Sequence, residues 1–235
     1  MILFIFLVIA AIILYVNAYW LYIKIALPKA SIKDICQIAK TGDVILFKIY
    51  NIPSFYHHIL TYSHVGIIVV HPITKEKYII ETHQTLPKTE LSLYHTSSYL
   101  TDGIHIYNLY NRLSQKPAYE YRLFHLQLKN KYIPDDNKVV KFINNLPAYM
   151  KKVPYYYDYE KYIWKNCVPN IICNQCFGFE EKSQLFCSEF VVYVLKLTGV
   201  LNDDFDHRCA LPGDFRFIKN NGETLYENMT MVKNI

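Results

Sequence analysis

The sequence predicts an α+β fold, a central antiparallel sheet packed against helices, with an apolar helix at the N-terminus. Three observations carry this expectation. Short runs rich in Val, Ile, Leu and Phe recur between turn signals, as strands do. Later segments switch to the period of an amphipathic helix. Residues 2–23 contain no acidic or basic side chain. The chain has 235 residues, 52% hydrophobic and 19% charged, which suits one medium domain with a real core and argues against long disordered tails. Seven glycines exclude collagen-like and glycine-rich linker architectures. The formal charge is +5, but the basic residues are dispersed, so no nucleic-acid partner is expected.

Residues 2–23 have the length of a spanning helix, which needs about 20 apolar residues. Tyr15, Tyr19, Trp20 and Tyr22 gather toward the end of the run like an interfacial aromatic belt, and Asn17 is its one strongly polar residue. Val16-Asn17-Ala18 has the small-residue spacing of a signal-peptide cleavage site. No basic residue precedes the run, however, and the run continues past that site, which favours a retained anchor. Lys24, Lys29 and Lys33 follow the run and none precedes it, so the positive-inside rule predicts a single-pass membrane protein with a cytosolic domain. The expected organisation is a membrane anchor over residues 1–27 and one domain over residues 31–235.

Ser31 is placed to cap a short helix over residues 31–40. Thr41-Gly42-Asp43 signals a turn into a strand over 44–49. Residues 52–62, with Pro53, read as irregular. Residues 64–71 are apolar almost throughout, as in a central strand covered on both faces. A turn over 72–76 and a strand over 77–82 complete a hairpin. Further strands are expected at 103–109 and 121–128, the second from its alternation. Asp135 or Asp136 is placed to cap a helix with an apolar face of Val139, Val140, Phe142, Ile143 and Leu146, which Pro147 should stop. Residues 186–198 read as a helix with Gly199 just past its end.

Three residues carry the candidate chemistry. Cys187 opens the last helix, where the helix dipole and free N–H groups favour a thiolate. His64 opens the central strand, at a sheet edge where an imidazole can serve as general base toward a thiol. Glu81 ends the hairpin partner, where a carboxylate can orient that imidazole as the third member of a triad. His71 and His83 compete for the orienting role, and Asp43 is a further candidate beside its turn glycine. Taken singly, each residue has a plainer reading: a buried thiol, a hydrogen-bonded core histidine and a solvated strand-end glutamate.

Gly42-Asp43 before a strand, Ser63-His64-Val65-Gly66-Ile67 on the next, Ile80-Glu81 on its hairpin partner and Cys187-Ser188-Glu189-Phe190-Val191 near the end occur in that order. Together they resemble the circularly permuted papain-like proteins of the NlpC superfamily, closest to the YiiX-type group and its poxvirus relatives. Lecithin:retinol acyltransferase-like enzymes are more distant cousins. The tyrosine-rich Val153-Pro154-Tyr155-Tyr156-Tyr157-Asp158 also resembles a segment of that group. The resemblance implies Cys187 as nucleophile, His64 as base and Glu81 as orienting residue, in a thiol hydrolase or acyltransferase acting through a thioester. The acyltransferase-like cousins usually carry a second histidine where this chain has Glu81, which favours the YiiX-like branch. The expected substrate is a lipid or peptide carrying an amide, ester or thioester, with no cofactor, in a membrane setting that the viral relatives extend to a virion or host membrane.

Two other classes compete. Cys167, Cys173 and Cys176 contain a Cys-x-x-Cys half-site, so a zinc-stabilised binding module is the second reading, with Cys187, Cys209 or His207 needed as fourth ligand. A catalytically inactive papain-like scaffold is the third.

Overall fold

The computed structural model describes residues 25–49, 62, 64–83, 103–114, 121–152, 187–202, 205, 210 and 212–233, with scattered positions between 7 and 22. In chain order the elements are β1 (Lys29–Ser31), α1 (Ile32–Ile38), β2 (Val44–Ile49), β3 (His64–Val70), β4 (Lys77–His83), β5 (Gly103–Asn108), α2 (Leu109–Ser114), β6 (Tyr121–Leu128), α3 (Asp136–Lys152) and α4 (Cys187–Leu197). A 3₁₀ turn (Pro212–Arg216), β7 (Lys219–Asn220), β8 (Glu223–Thr224) and β9 (Tyr226–Lys233) follow.

The fold is α+β. Among the described residues seven strands form one sheet in the order β1-β9-β6-β2-β3-β4-β5. Every neighbouring pair is antiparallel except β1 with β9, so the sheet is mixed rather than wholly antiparallel. β3 lies inside it between β2 and β4, as its near-continuous apolar run predicts. Its residues alternate between two cores. Val65, Ile67 and Val69 join α3, α4 and the C-terminal segment in one cluster, and Ile68 joins α1 and α2 in the other.

The helix ends follow local chemistry. The Ser31 hydroxyl accepts from the Asp34 N–H while the Asp34 carboxylate accepts from the Ser31 N–H, a reciprocal capping box at α1. Asp135, rather than Asp136, caps α3, accepting from the N–H groups of Asn137 and Lys138. Gly199, at φ +79°, ends α4, with Val200 N–H donating to Leu195 C=O and Gly199 N–H to Lys196 C=O.

Three expectations are corrected. The first concerns the N-terminal membrane helix and the single-pass localisation drawn from it. Among the described residues no helix is long and apolar enough to cross a membrane. A spanning helix needs about 20 consecutive apolar residues. The longest element, α3, has 17, and it carries one buried stripe of Val139, Phe142 and Leu146 beside exposed polar positions. Of residues 2–23, the described positions Leu7, Ala10, Ala11, Leu14, Tyr15, Ala18, Leu21 and Tyr22 are helical and exposed, and the remainder lie outside the described residues. Second, α3 does not stop at Pro147 but carries it inside. Pro147 is exposed, on the side where helix carbonyls tilt out to water and a lost hydrogen bond is tolerated. Third, the strand expected over 103–109 ends at Asn108, and Leu109 begins α2.

Candidate active site

β3 and β4 set two of the three predicted residues side by side. Ile67 pairs with Ile80, so the next step of the antiparallel ladder brings Glu81 beside Gly66, two residues from His64 and on the same strand face. The Glu81 side chain lies across Gly66 toward His64. A methyl group on Gly66 would come within 2.8 Å of Glu81 Cγ and 2.9 Å of Ile79 Cδ1. The glycine inside this strand therefore leaves the space through which the Glu81 and Ile79 side chains pass. Gly66→Ala is expected to cost about 1–3 kcal/mol by overpacking. It should also displace Glu81 from His64, so a urea midpoint and the Cys187 alkylation rate should fall together. A variant with both unchanged would refute this role of Gly66.

His64 Nε2 lies 2.9 Å from Glu81 Oε2. Glu81 is fully buried, whereas the His64 side chain keeps 16% of its surface exposed. The carboxylate is thus the buried member of the pair and the ring the partly exposed one. On its other side Glu81 meets Arg112. Arg112 Nε donates to Oε1 at 2.9 Å and Nη2 donates to Oε2 at 3.1 Å, a two-pronged buried ion pair. The guanidinium carbon lies 5.2 Å from the Phe47 ring centre and 5.3 Å from that of Tyr107. Burial alone would push the Glu81 carboxyl up. The charge of Arg112, followed by the hydrogen bond and charge of His64, instead holds it well below the usual carboxylate range.

Cys187 is the first residue of α4, and α4 packs on β3 and β4. It is buried at 7% exposure, and it lies near enough to the His64 ring to raise the ring's pKa. With Nε2 engaged by Glu81, Nδ1 is the ring nitrogen left for the thiol. Cys187 belongs to the cluster under α4, while Phe47 and Tyr107, which flank the Arg112–Glu81 pair, belong to the other. His64, with its ring centre 5.1 Å from that of Phe47, touches both sides. Burial by itself would lower the His64 pKa. The charge and hydrogen bond of Cys187, then those of Glu81, outweigh it and raise the ring to about 9.

The structure thus brings Cys187, His64 and Glu81 together, and it excludes the rival orienting residues it describes. His71 lies in the turn at the far end of the hairpin, where its Nδ1 accepts from the N–H groups of Ile73 and Thr74. Asp43 is committed elsewhere. Its Oδ2 lies 2.8 Å from His125 Nε2, and it accepts from the N–H groups of Leu128 and Lys40. It fastens the turn before β2 to β6. Gly42 at φ +93° completes that turn, where a Cβ would meet Leu128 Cδ2 at 2.6 Å. The side chain of His83, residues 153–158, Cys167, Cys173, Cys176, His207 and Cys209 lie outside the described residues. Among the described residues no group of three or more His, Cys, Asp or Glu is placed to hold a metal ion.

Arg112 was missed in the sequence reading. Its signal is present: on α2 it lies three residues after Leu109 and one before Leu113, within the buried stripe of that helix. An arginine on an apolar stripe requires a buried anion. No protein-family model matches the chain, and no curated protein matches its sequence.

Proposed function

We propose that this protein is a cysteine hydrolase or acyltransferase of permuted papain-like type, acting on an amide, ester or thioester through Cys187, His64 and Glu81. One observation carries the reading: a histidine lies 2.9 Å from a buried carboxylate and also close enough to a cysteine at a helix N-terminus to be shifted by it. That is the arrangement of nucleophile, base and orienting group from which acyl transfer follows. The order histidine, glutamate, cysteine along the chain supports the permuted form.

In this mechanism His64 takes the Cys187 proton, leaving a thiolate beside the protonated ring. The thiolate attacks the substrate carbonyl carbon, and its electrons move onto the oxygen. Backbone N–H groups at the start of α4 are suited to receive that oxyanion. The tetrahedral intermediate collapses to a Cys187 thioester as the leaving amine, alcohol or thiol takes the proton from His64. Water, or a second acceptor, then gives its proton to His64 and attacks the thioester. The acid or transferred acyl group departs, and the thiol is restored. Glu81 stays ionised throughout, held by Arg112, and keeps the ring in register. The expected anchor pointed to a lipid or a membrane-associated peptide, and without it neither is favoured.

The test is covalent capture. Full-length protein is incubated with a short-chain acyl p-nitrophenyl ester, an acyl thioester and an acyl anilide, quenched in acid and digested. The expected result is the mass of one acyl group on the Cys187 peptide with at least one substrate, absent in Cys187→Ala and strongly reduced in His64→Ala. No acyl adduct or turnover with any of the three would reject the enzyme reading and favour an inactive scaffold.

A further inference from the structure

The end of the sheet away from His64 carries a cavity of about 560 Å³. Three segments wall it: the residues after α1, the β3–β4 turn and the connection from β6 to α3. His64 opens β3 and Val70 closes it, so at the usual strand rise the cavity stands about 20 Å from His64.

Side chains pin these walls to one another. The Thr41 hydroxyl takes the place of a strand partner for Val70, accepting from its N–H at 2.9 Å and donating to its C=O at 3.3 Å. Lys77 Nζ donates to the carbonyls of Gln37 and Ala39, each at 2.8 Å, and so ties β4 to the end of α1. Lys40 Nζ donates to Asn130 Oδ1, which ties that end to the segment after β6. The cavity is thus preformed, and its volume lies in the range of small-molecule sites.

Its chemistry has two sides. Val70, Pro72, Ile133 and Pro134 give an apolar wall, and Ile133 keeps 79% of its surface exposed. Lys40, Lys75 and Lys77 bring three ammonium groups, against the single carboxylate of Asp136 among the described lining residues. Lys40 and Lys77 are held in place by their bonds to the walls. Lys75 is exposed in the turn, where its backbone N–H donates to His71 C=O and its ammonium makes no bond or ion pair. It also sits at φ +60°, a backbone position that glycine and asparagine adopt more readily than lysine. Turn chemistry therefore does not explain a lysine at this position, whereas its charge at the cavity rim does.

We propose that this cavity binds a small organic anion, an apolar body with one carboxylate or phosphate head. The body lies against Pro72, Ile133 and Pro134, and the head faces Lys75, Lys40 and Lys77. The site is separate from Cys187 and does not depend on the chemistry assigned there.

Anilinonaphthalene sulfonate and its uncharged parent phenylnaphthylamine test the site as a pair. They share one apolar body and brighten away from water, but only the first carries a negative charge. Both are titrated by fluorescence onto the full chain, as wild type and as two variants whose folding is checked by circular dichroism. Lys75→Asn removes the charge and suits the left-handed backbone, and Ile133→Ser removes apolar surface at an exposed position. Lys75→Asn is expected to weaken the sulfonate about fivefold, the effect of one nearby charge in water, and to leave the neutral probe within about twofold. Ile133→Ser should weaken both probes. Decanoate and decyl phosphate should each displace the sulfonate, the one acting at lower concentration marking the preferred head, and decanol should displace it poorly. Binding of the sulfonate that ignores both variants comes from apolar surface elsewhere and would overturn the site. So would an equal response of the two probes to Lys75→Asn, or displacement by decanol as readily as by either anion.

Discussion

Replacing Arg112 by methionine is expected to destabilise the fold by about 3–5 kcal/mol, the cost of leaving a buried charge without its counter-ion. Glu81 is fully buried, and its carboxylate is held by two bonds from Arg112 and one contact from His64. Without Arg112 the buried carboxylate keeps only the partly exposed His64 ring as a counter-charge, and burial then pushes it toward protonation. Methionine fills similar space between Phe47 and Tyr107, so the loss reports the charge rather than a cavity. Urea denaturation is the measurement. Arg112→Lys should fall between wild type and methionine, because it keeps the charge and loses the fork. The double variant Arg112→Met, Glu81→Leu should recover part of the loss, since removing both ions removes the desolvation cost. An Arg112→Met protein within about 1 kcal/mol of wild type would show that the pair contributes little, as exposed pairs do.

His64→Ala is expected to slow iodoacetamide alkylation of Cys187 at least about tenfold at pH 6, within the range by which partners activate protein thiols. The reason is charge. His64 is raised from 6.5 to about 9, so at neutral pH the ring is an imidazolium beside Cys187. The gap between wild type and variant should close as pH rises through about 9, where the ring loses its proton and an ordinary thiol is ionised anyway. Stability follows the same group. Between about 6.5 and 9 the folded ring holds a proton that the same ring has released in the unfolded chain. The His64 contribution is therefore complete below about 6.5 and is lost as pH rises through about 9. Glu81 acts at the other end. Its depressed pKa contributes stability above the ordinary carboxylate value of 4.5, and that contribution is lost as the pH falls toward the folded value. Equal alkylation rates for wild type and His64→Ala across this range would remove the imidazole from the chemistry.

What the sequence alone determined is what short-range physics governs. β2 and β6 have the predicted bounds, because a turn glycine before one and the alternation of the other are local signals. The Ser31 cap and the Gly199 terminus are local for the same reason. His64, Glu81 and Cys187 could be offered as candidates because a hairpin makes its two strands neighbours and a helix start makes its first residue special, and the family resemblance set them above their plainer readings. Tertiary structure decided the rest. β9 reads Tyr-Glu-Asn-Met-Thr-Met-Val-Lys, with no clean alternation, and becomes a strand through its ladder with β6 and the short parallel pairing with β1. Pro147 is tolerated because its side of α3 faces water. Arg112 reaches Glu81 from 31 residues away, where α2 folds back over the sheet. A residue's periodicity and caps are written within a few neighbours. Its partner in a buried charge network is chosen by the packing of distant elements, and there a single sequence carries only the trace of a charge on an apolar stripe.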